Sequence, residues 1–371
     1  MKAMGIIFSN IYDSSLGELT SHRTVASLPF GGRYRQIDFV LSNLSNSGIY
    51  NIGIITKSNY RSLMDHLGSC ADWDLNRKNE GVVFLPPFAS GNTGMYKGKL
   101  AALHSAAHFI NNPQYDYVVV CDSTVLCNMD LRPAIKQHVK SGCDVTVIAT
   151  TPKEKSRKKY ALILRTNRRG RVTELLIDTR AHADTLIGMG VFIFSRQLLI
   201  EAIEESYIKG LAHLERDYLQ KKFNEGSLKI DTYPFEGVVL WNEDIRSYFA
   251  NNMALLSENV RKSFFDIERP IYTKVRDEIP TYYAPDSHIS DCIIADGCVL
   301  CGRVSESIIF RDVAIEKGAE VKNSIIMQGA RIGANTRLEC VILDKNVTVT
   351  EGAALIGTKT HPVIVKKGET V

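Results

Sequence analysis

The sequence has no apolar run near the ~18 residues that a membrane-spanning helix needs, and its first residues lack the order of a signal peptide. Membrane insertion and export are set aside on that ground, and a cytoplasmic location is expected. Charge of one sign is also scarce. Lys and Arg number 45 against 41 Asp and Glu, and a net +4 over 371 residues is too small and too scattered for a nucleic-acid surface. Two local basic stretches, Lys153 to Lys159 and Arg168 to Arg171, read as solvated hairpin and loop residues. Paired cysteines are lacking too. The eight stand singly in strand-like segments except for Cys298 and Cys301, whose C-x-x-C spacing has only His288 nearby to support a zinc site. Reduced core thiols are the expectation, and no metal is assigned.

What is present is an ordinary globular composition, 44% hydrophobic and 23% charged. Up to about Asn252, short apolar runs alternate with helical patterns. The strands expected are Met4–Phe8, Ile52–Thr56, Tyr117–Val120, Asp144–Thr150 and Gly190–Phe194. Between them the spacing predicts helices over Ile37–Ser47, stopped by Gly48, over Tyr60–Leu67, over Leu100–Ile110, and over Leu131–Val139 with Pro133 in its first turn. Tyr160–Leu164 and Val172–Ile177, joined around Asn167 and Gly170, read as a hairpin, and Ile245 to Ser263 as one long helix. Strand–helix alternation implies an α/β domain with a mostly parallel, Rossmann-like sheet covered on both faces.

After the proline-bearing stretch 269–286 the rhythm changes to a period of six. Ile315 and Val321 are six apart, as are Ile326, Ile332 and Leu338 in succession, and Val349 and Leu355. Glycines punctuate the turns and helical periodicity is absent. One aliphatic per hexad marks a left-handed parallel β-helix, whereas an antiparallel sheet domain would alternate every second residue. The expected organisation is an α/β domain over 1–265, a linker over 266–285 and a hexapeptide-repeat domain over 286–371.

The loop after the first strand is the unusual part. A phosphate-binding turn calls for glycines and cations, yet this one offers Asn10, Ile11, Tyr12, Asp13, Ser14 and Ser15. The surrounding motifs, Leu19-Thr20, Arg23, Phe30-Gly31-Gly32, Tyr34-Arg35, Ile37-Asp38-Phe39 and Leu41-Ser42-Asn43, resemble those of the sugar-nucleotide transferases, and more narrowly the glucose-1-phosphate adenylyltransferase (ADP-glucose pyrophosphorylase) family. Tyr96-Lys97-Gly98, Gly188-Met189-Gly190 and the hexad coil correspond as well, so the resemblance covers nearly the whole chain. Laid on the family loop A-G-G-x-G-x-R-L-x-x-L-T, the chain puts Asn10 and Ile11 at the paired glycines, Asp13 at the third and Ser15 at the arginine. Val25 and Ala26 stand at the family's lysine and proline, and Asp178 stands at its sugar-phosphate lysine. Each change acts against binding a polyanion.

Of the two metal-binding aspartates that the resemblance implies, Asp122 survives, and the second falls near Trp241 to Asp244 without a matching carboxylate. The resemblance therefore implies a GlgD-type companion subunit. It would assemble with a catalytic paralogue, expected as a heterotetramer with two subunits of each kind and with magnesium in the catalytic partner only. Residual ligand contacts are expected at Lys97, Lys99 and Asp122. His22, Arg23, Arg33 and Arg35 form a basic cluster that reads either as an effector site for a sugar phosphate or as ion pairs at a subunit contact. Three alternatives stay open: an active adenylyltransferase using Lys97 and Lys99, a non-enzymatic sugar-phosphate sensor, and an acyltransferase built on the coil. The last needs a histidine base, and residues 289–360 contain none.

Overall fold

The structure is a computed structural model, and it describes residues 2–9, 13–87, 96–151, 159–160, 162–182 and 184–371. The expectations for Asn10 and Ile11, and for residues 153–158 of the first basic stretch, lie outside the described residues. The chain divides into two compact units, one of Met1–Ile11, Val40–Ser58 and Gly68–Gly237, the other of Tyr12–Phe39, Asn59–Leu67 and Val238–Val371. Among the described residues no helix is long and apolar enough to cross a membrane.

The first unit is built on a nine-stranded sheet: β1 Ala3–Phe8, β2 Asn51–Ile55, β3 Gly81–Leu85, β4 Tyr117–Asp122, β5 Val145–Thr150, β6 Ile163–Thr166, β7 Val172–Leu176, β8 Leu186–Ser195 and β9 Ile230–Pro234. Strand β1 lies between β2 and β4 and runs parallel to both, with β3 parallel on β2 and β9 parallel on β5. The long β8 is antiparallel to β4 and β5, and the β6–β7 hairpin hangs on its first residues. The core strands are apolar on both faces, which is why their runs are continuous rather than alternating. Met4, Ile6, Val118 and Val120 pack with Leu100, Leu103, Leu199 and Ile203 from the helices Lys99–Ser105 and Arg196–Ile208. Gly5 leaves room for Leu44 of the helix Gln36–Asn46, whose Cδ1 would lie 3.0 Å from an added Cβ. Pro133 opens the helix Arg132–Ser141 and Gly142 closes it at φ 59°. The second basic stretch has Arg168 and Arg169 exposed or nearly so in the β6–β7 turn, while Arg171 pairs with Asp231.

In the second unit the hexads form three parallel sheets of five strands, the arrangement of a left-handed β-helix. Val299 pairs with Ala314, Ala314 with Arg331 and Arg331 with Thr348, one coil at a time. The interior stacks Leu300, Ile315, Ile332 and Val349 in one column, Val304, Val321 and Leu338 in the next, and Ile309, Ile326 and Leu343 in the third. Corners are tight. Gly329 at φ 75° lies under Asn346, whose Oδ1 would be 2.3 Å from an added Cβ, so only glycine fits. All eight cysteines are free thiols, and Cys298 points its thiol at the Phe310 carbonyl inside the coil.

Two expectations need correcting. The segment Leu100–Ile110 is two helices, Lys99–Ser105 and Ala107–Ile110, which part at Ala106. The segment 245–263 is not one helix but two, Ile245–Ala254 and Glu258–Phe264. Leu255 closes the first, Ser257 opens the second with extended backbone, and the Arg261 guanidinium takes the carbonyls of Leu255 and Leu256 at 2.9 and 2.6 Å. Those carbonyls face the break, and a cation at that point satisfies them.

Candidate functional site

Ligands of open α/β sheets bind at the carboxyl ends of the strands, and in the first unit that end carries Asp122, the last residue of β4. Its Oδ2 accepts a hydrogen bond from Lys99 Nζ at 2.7 Å, and the same ammonium donates to Glu215 Oε1 at 2.5 Å. The Lys99 side chain is only 3% exposed, and its Nζ lies 5.6 and 5.8 Å from the ring centres of Phe8 and Phe192. Burial alone would lower the Lys99 pKa, but the two carboxylates outweigh it and hold the ammonium on. Burial lifts the Asp122 carboxyl above the usual range against the pull of Lys99, and Glu215 adds to the lift. Local backbone builds this arrangement. A β-bulge between Gly188 and Val191 puts Gly190, at φ 68°, so close to Asp122 that a Cβ there would lie 2.5 Å from Oδ2. On the other side Asp217 Oδ2 accepts from the backbone N–H groups of Ala212 and His213, fixing the turn that carries Glu215.

A divalent metal does not fit these residues. Both carboxylates near the position already bind one ammonium, and the described residues contain no group of three or more candidate ligands placed to hold an ion. Asp244, one of the acidic residues in the segment of the missing second ligand, caps the helix Ile245–Ala254 by accepting from Ser247 N at 2.6 Å. Lys97 is exposed, Ser15 is exposed, and Asp178 sits exposed in a left-handed turn at φ 52°.

The second unit carries a different site. The Phe30-Gly31-Gly32 motif forms a tight hairpin, Pro29–Phe30 against Tyr34–Arg35, with both glycines at positive φ and Gly31 N–H donating to Asn252 Oδ1 at 3.0 Å. This turn aims Arg33 and Arg35 into a small cleft open to solvent, which Lys274, Arg276, Arg311 and Lys345 also line. Arg35 is anchored by Ser62, its Nη1 donating to the carbonyl at 2.6 Å and to Oγ at 3.0 Å. The buried acids beside it are already engaged. Asp344 pairs with Arg23, and Asp38 accepts from Arg35 N–H and contacts His66 Nε2 at 2.6 Å.

The remaining cations therefore repel one another. Among the described residues Arg311 Nε is buried with no hydrogen-bond partner, and burial, then Arg33 and Arg276, lower its pKa. Burial, then Arg35 and Arg23, bring Lys345 down to about 7. An anion in the cleft would offset this repulsion, and guanidinium groups have the donor geometry for phosphate or another small polyanion.

Of the expected basic cluster, Arg33 and Arg35 line the cleft. Arg23 does not: its guanidinium binds both Asp344 oxygens at 2.7 and 2.8 Å, with Met327 Sδ at 3.8 Å. His22 is exposed and outside the lining. Sequence reasoning missed Glu215, Lys274, Arg276, Arg311 and Lys345. A usable signal existed for two of them, because Arg311, Gln328 and Lys345 line the cleft from matching positions one coil apart, just past Phe310, Met327 and Asp344.

A Rossmann-like sheet with an aspartate at a strand end, followed by a hexapeptide coil, defines the nucleotidyltransferase class. Residues 5–248 match the model of the nucleotidyl transferase family and residues 282–361 that of GlmU-like, C-terminal hexapeptide repeats, and the chain belongs to the nucleotidyl transferase family. It is 32% identical to the glycogen biosynthesis protein GlgD of Bacillus subtilis (strain 168), over 98% of this chain and 96% of that protein. It is similar as well to the glucose-1-phosphate adenylyltransferases of Bacillus mycoides (strain KBAB4), at 30% identity, and Bacillus thuringiensis (strain Al Hakam), at 29%, each over 95% of this chain and 94% of the relative.

Proposed function

We propose that the chain is a companion subunit in bacterial glycogen biosynthesis, weakly catalytic or non-catalytic alone, that activates a catalytic glucose-1-phosphate adenylyltransferase paralogue in a mixed oligomer. The observation that carries this reading is the basic cleft of the second unit. There, among the described residues, Arg311 keeps a buried, unpartnered Nε, and Arg33, Arg276 and Lys345 make no ion pair. Arginine forks with no counter-ion suit a phosphorylated metabolite, so this subunit reads a sugar-phosphate effector. Adenylyl transfer asks for something else, a cradle for the triphosphate and charge neutralisation beside it. Asn10, Ile11, Asp13 and Ser15 replace that cradle in the sequence, and Lys99 engages Asp122. The reading in which Lys97 and Lys99 bind ATP instead is weakened, because Lys99 is buried and paired.

Co-expression with a catalytic paralogue tests the reading. A stable species near four subunits by light scattering is expected, activated by a sugar phosphate. Arg33→Ala should weaken that activation and leave assembly intact. Separate species only, or unchanged activation curves, would count against it.

A further inference from the structure

We propose that the Lys99 ammonium is a built-in replacement for a divalent cation, so that Asp122 and Glu215 form a metal-independent ion triad that excludes Mg²⁺ or Mn²⁺ from the first unit. The inference goes beyond the companion-subunit reading and does not rest on it.

Two carboxylate oxygens from distant parts of the chain, Asp122 Oδ2 and Glu215 Oε1, converge on one point at 2.7 and 2.5 Å. That convergence is what a small cation needs, since hard ions take oxygen ligands at about 2.0–2.6 Å. Here the point holds a nitrogen that the chain itself supplies. Its position is fixed from both ends. Gly98 starts the Lys99 helix against the segment carrying Glu215: an added Cβ would lie 2.3 Å from the Ala212 carbonyl, and that carbonyl accepts from Leu100 N–H at 3.0 Å. The Lys99 side chain is 3% exposed, against 21% for Asp122 and 14% for Glu215, so water reaches the carboxylates more readily than the ammonium. A divalent ion would have to share the carboxylates with a fixed positive charge or expel it past Phe8 and Phe192. Neither is favourable at that spacing.

The triad carries one positive and two negative charges. It braces the strand end but leaves net negative charge where a triphosphate would approach, unlike a site loaded with a divalent ion.

Mn²⁺ is the probe, followed by the loss of its free-ion paramagnetic resonance signal on titration with the purified full chain. The wild-type chain should leave the signal undiminished. Lys99→Met empties the ammonium position, and it should take up one Mn²⁺ per chain with affinity at least about 100-fold above wild type. Mn²⁺ should also raise the melting temperature of Lys99→Met, and adding Asp122→Asn should abolish both effects. The proposal is overturned if the wild-type chain binds one Mn²⁺ and loses it on Asp122→Asn, a comparison that stands even where Lys99→Met fails to fold. A folded Lys99→Met chain that takes up no Mn²⁺ overturns it as well. None of these readouts involves an assembly partner, turnover or the basic cleft.

Discussion

Removing the Asp344 carboxylate should unfold the second unit more readily than any other single polar change in it. Asp344 and Arg23 are 4% and 5% exposed, and the guanidinium holds both carboxylate oxygens. Arg35 is near enough to Arg23, and Lys345 to both Arg23 and Asp344, to be felt electrostatically. Asp344→Asn keeps the shape but strands Arg23 in a buried, already cationic region, and breaking such a pair costs about 3–5 kcal/mol. For a unit of about 170 residues each kcal/mol moves the melting temperature by roughly 2–4 °C, so calorimetry should record a loss of about 6–20 °C. Arg23→Met should cost less, because the orphaned Asp344 still has Lys345 at hand. Added phosphate should recover part of the loss in Asp344→Asn by restoring negative charge. If Asp344→Asn melts within about 2 °C of wild type, the reasoning fails.

Arg311→Ala should raise the apparent Kd of phosphate at least about tenfold, read as a smaller phosphate-dependent rise in melting temperature, while an unchanged rise would remove Arg311 from the site. Anion binding should also depend on pH. Lys345, held down to about 7, is neutral above that value in the free chain, so binding an anion must return a proton to it. Affinity should therefore fall as pH rises above about 7, and a flat profile from pH 6 to 9 would contradict this. The same group makes the anion-free chain bind fewer protons than the unfolded chain between about 7 and its ordinary 10.5, so its contribution to stability rises with pH over that window. In the coil, Gly329→Ala should destabilise by about 2 kcal/mol or more, since it adds a clash with Asn346 to the strain of positive φ. Gly352→Ala, at φ 73° with open space around it, should cost only about 1 kcal/mol, and equal losses would refute the role of the Asn346 contact.

The parts of this fold that were legible in the sequence are those with a local period. Runs such as Val118–Cys121 are buried on both faces and read directly as central strands. The hexads read as a coil because each of Ile315, Val321, Ile326, Ile332 and Leu338 must point inward. Gly48, at positive φ, marked the end of a helix for a steric reason visible in one letter. Partnerships were not legible. Nothing near Arg23 announces Asp344, and nothing near Lys99 announces Glu215, because the contacts span 321 and 116 residues. Arg23 was grouped with Arg33 and Arg35 by proximity in sequence, whereas burial separates it from them. The helix break at Leu255–Ser257 was hidden because Arg261 repairs it from a position that still fits the helical pattern.

In the proposed companion role this nucleotidyltransferase fold would serve a partner's chemistry rather than its own. The direct measurement is ADP-glucose formation by the purified chain supplied with ATP and glucose 1-phosphate, alone and mixed with a catalytic paralogue. About three lost phosphate contacts at roughly 1.5–3 kcal/mol each predict turnover at least ~100-fold below the paralogue's when the chain is alone, and a rise in the paralogue's rate when the two are mixed. Robust turnover by the unmodified chain alone would contradict the account.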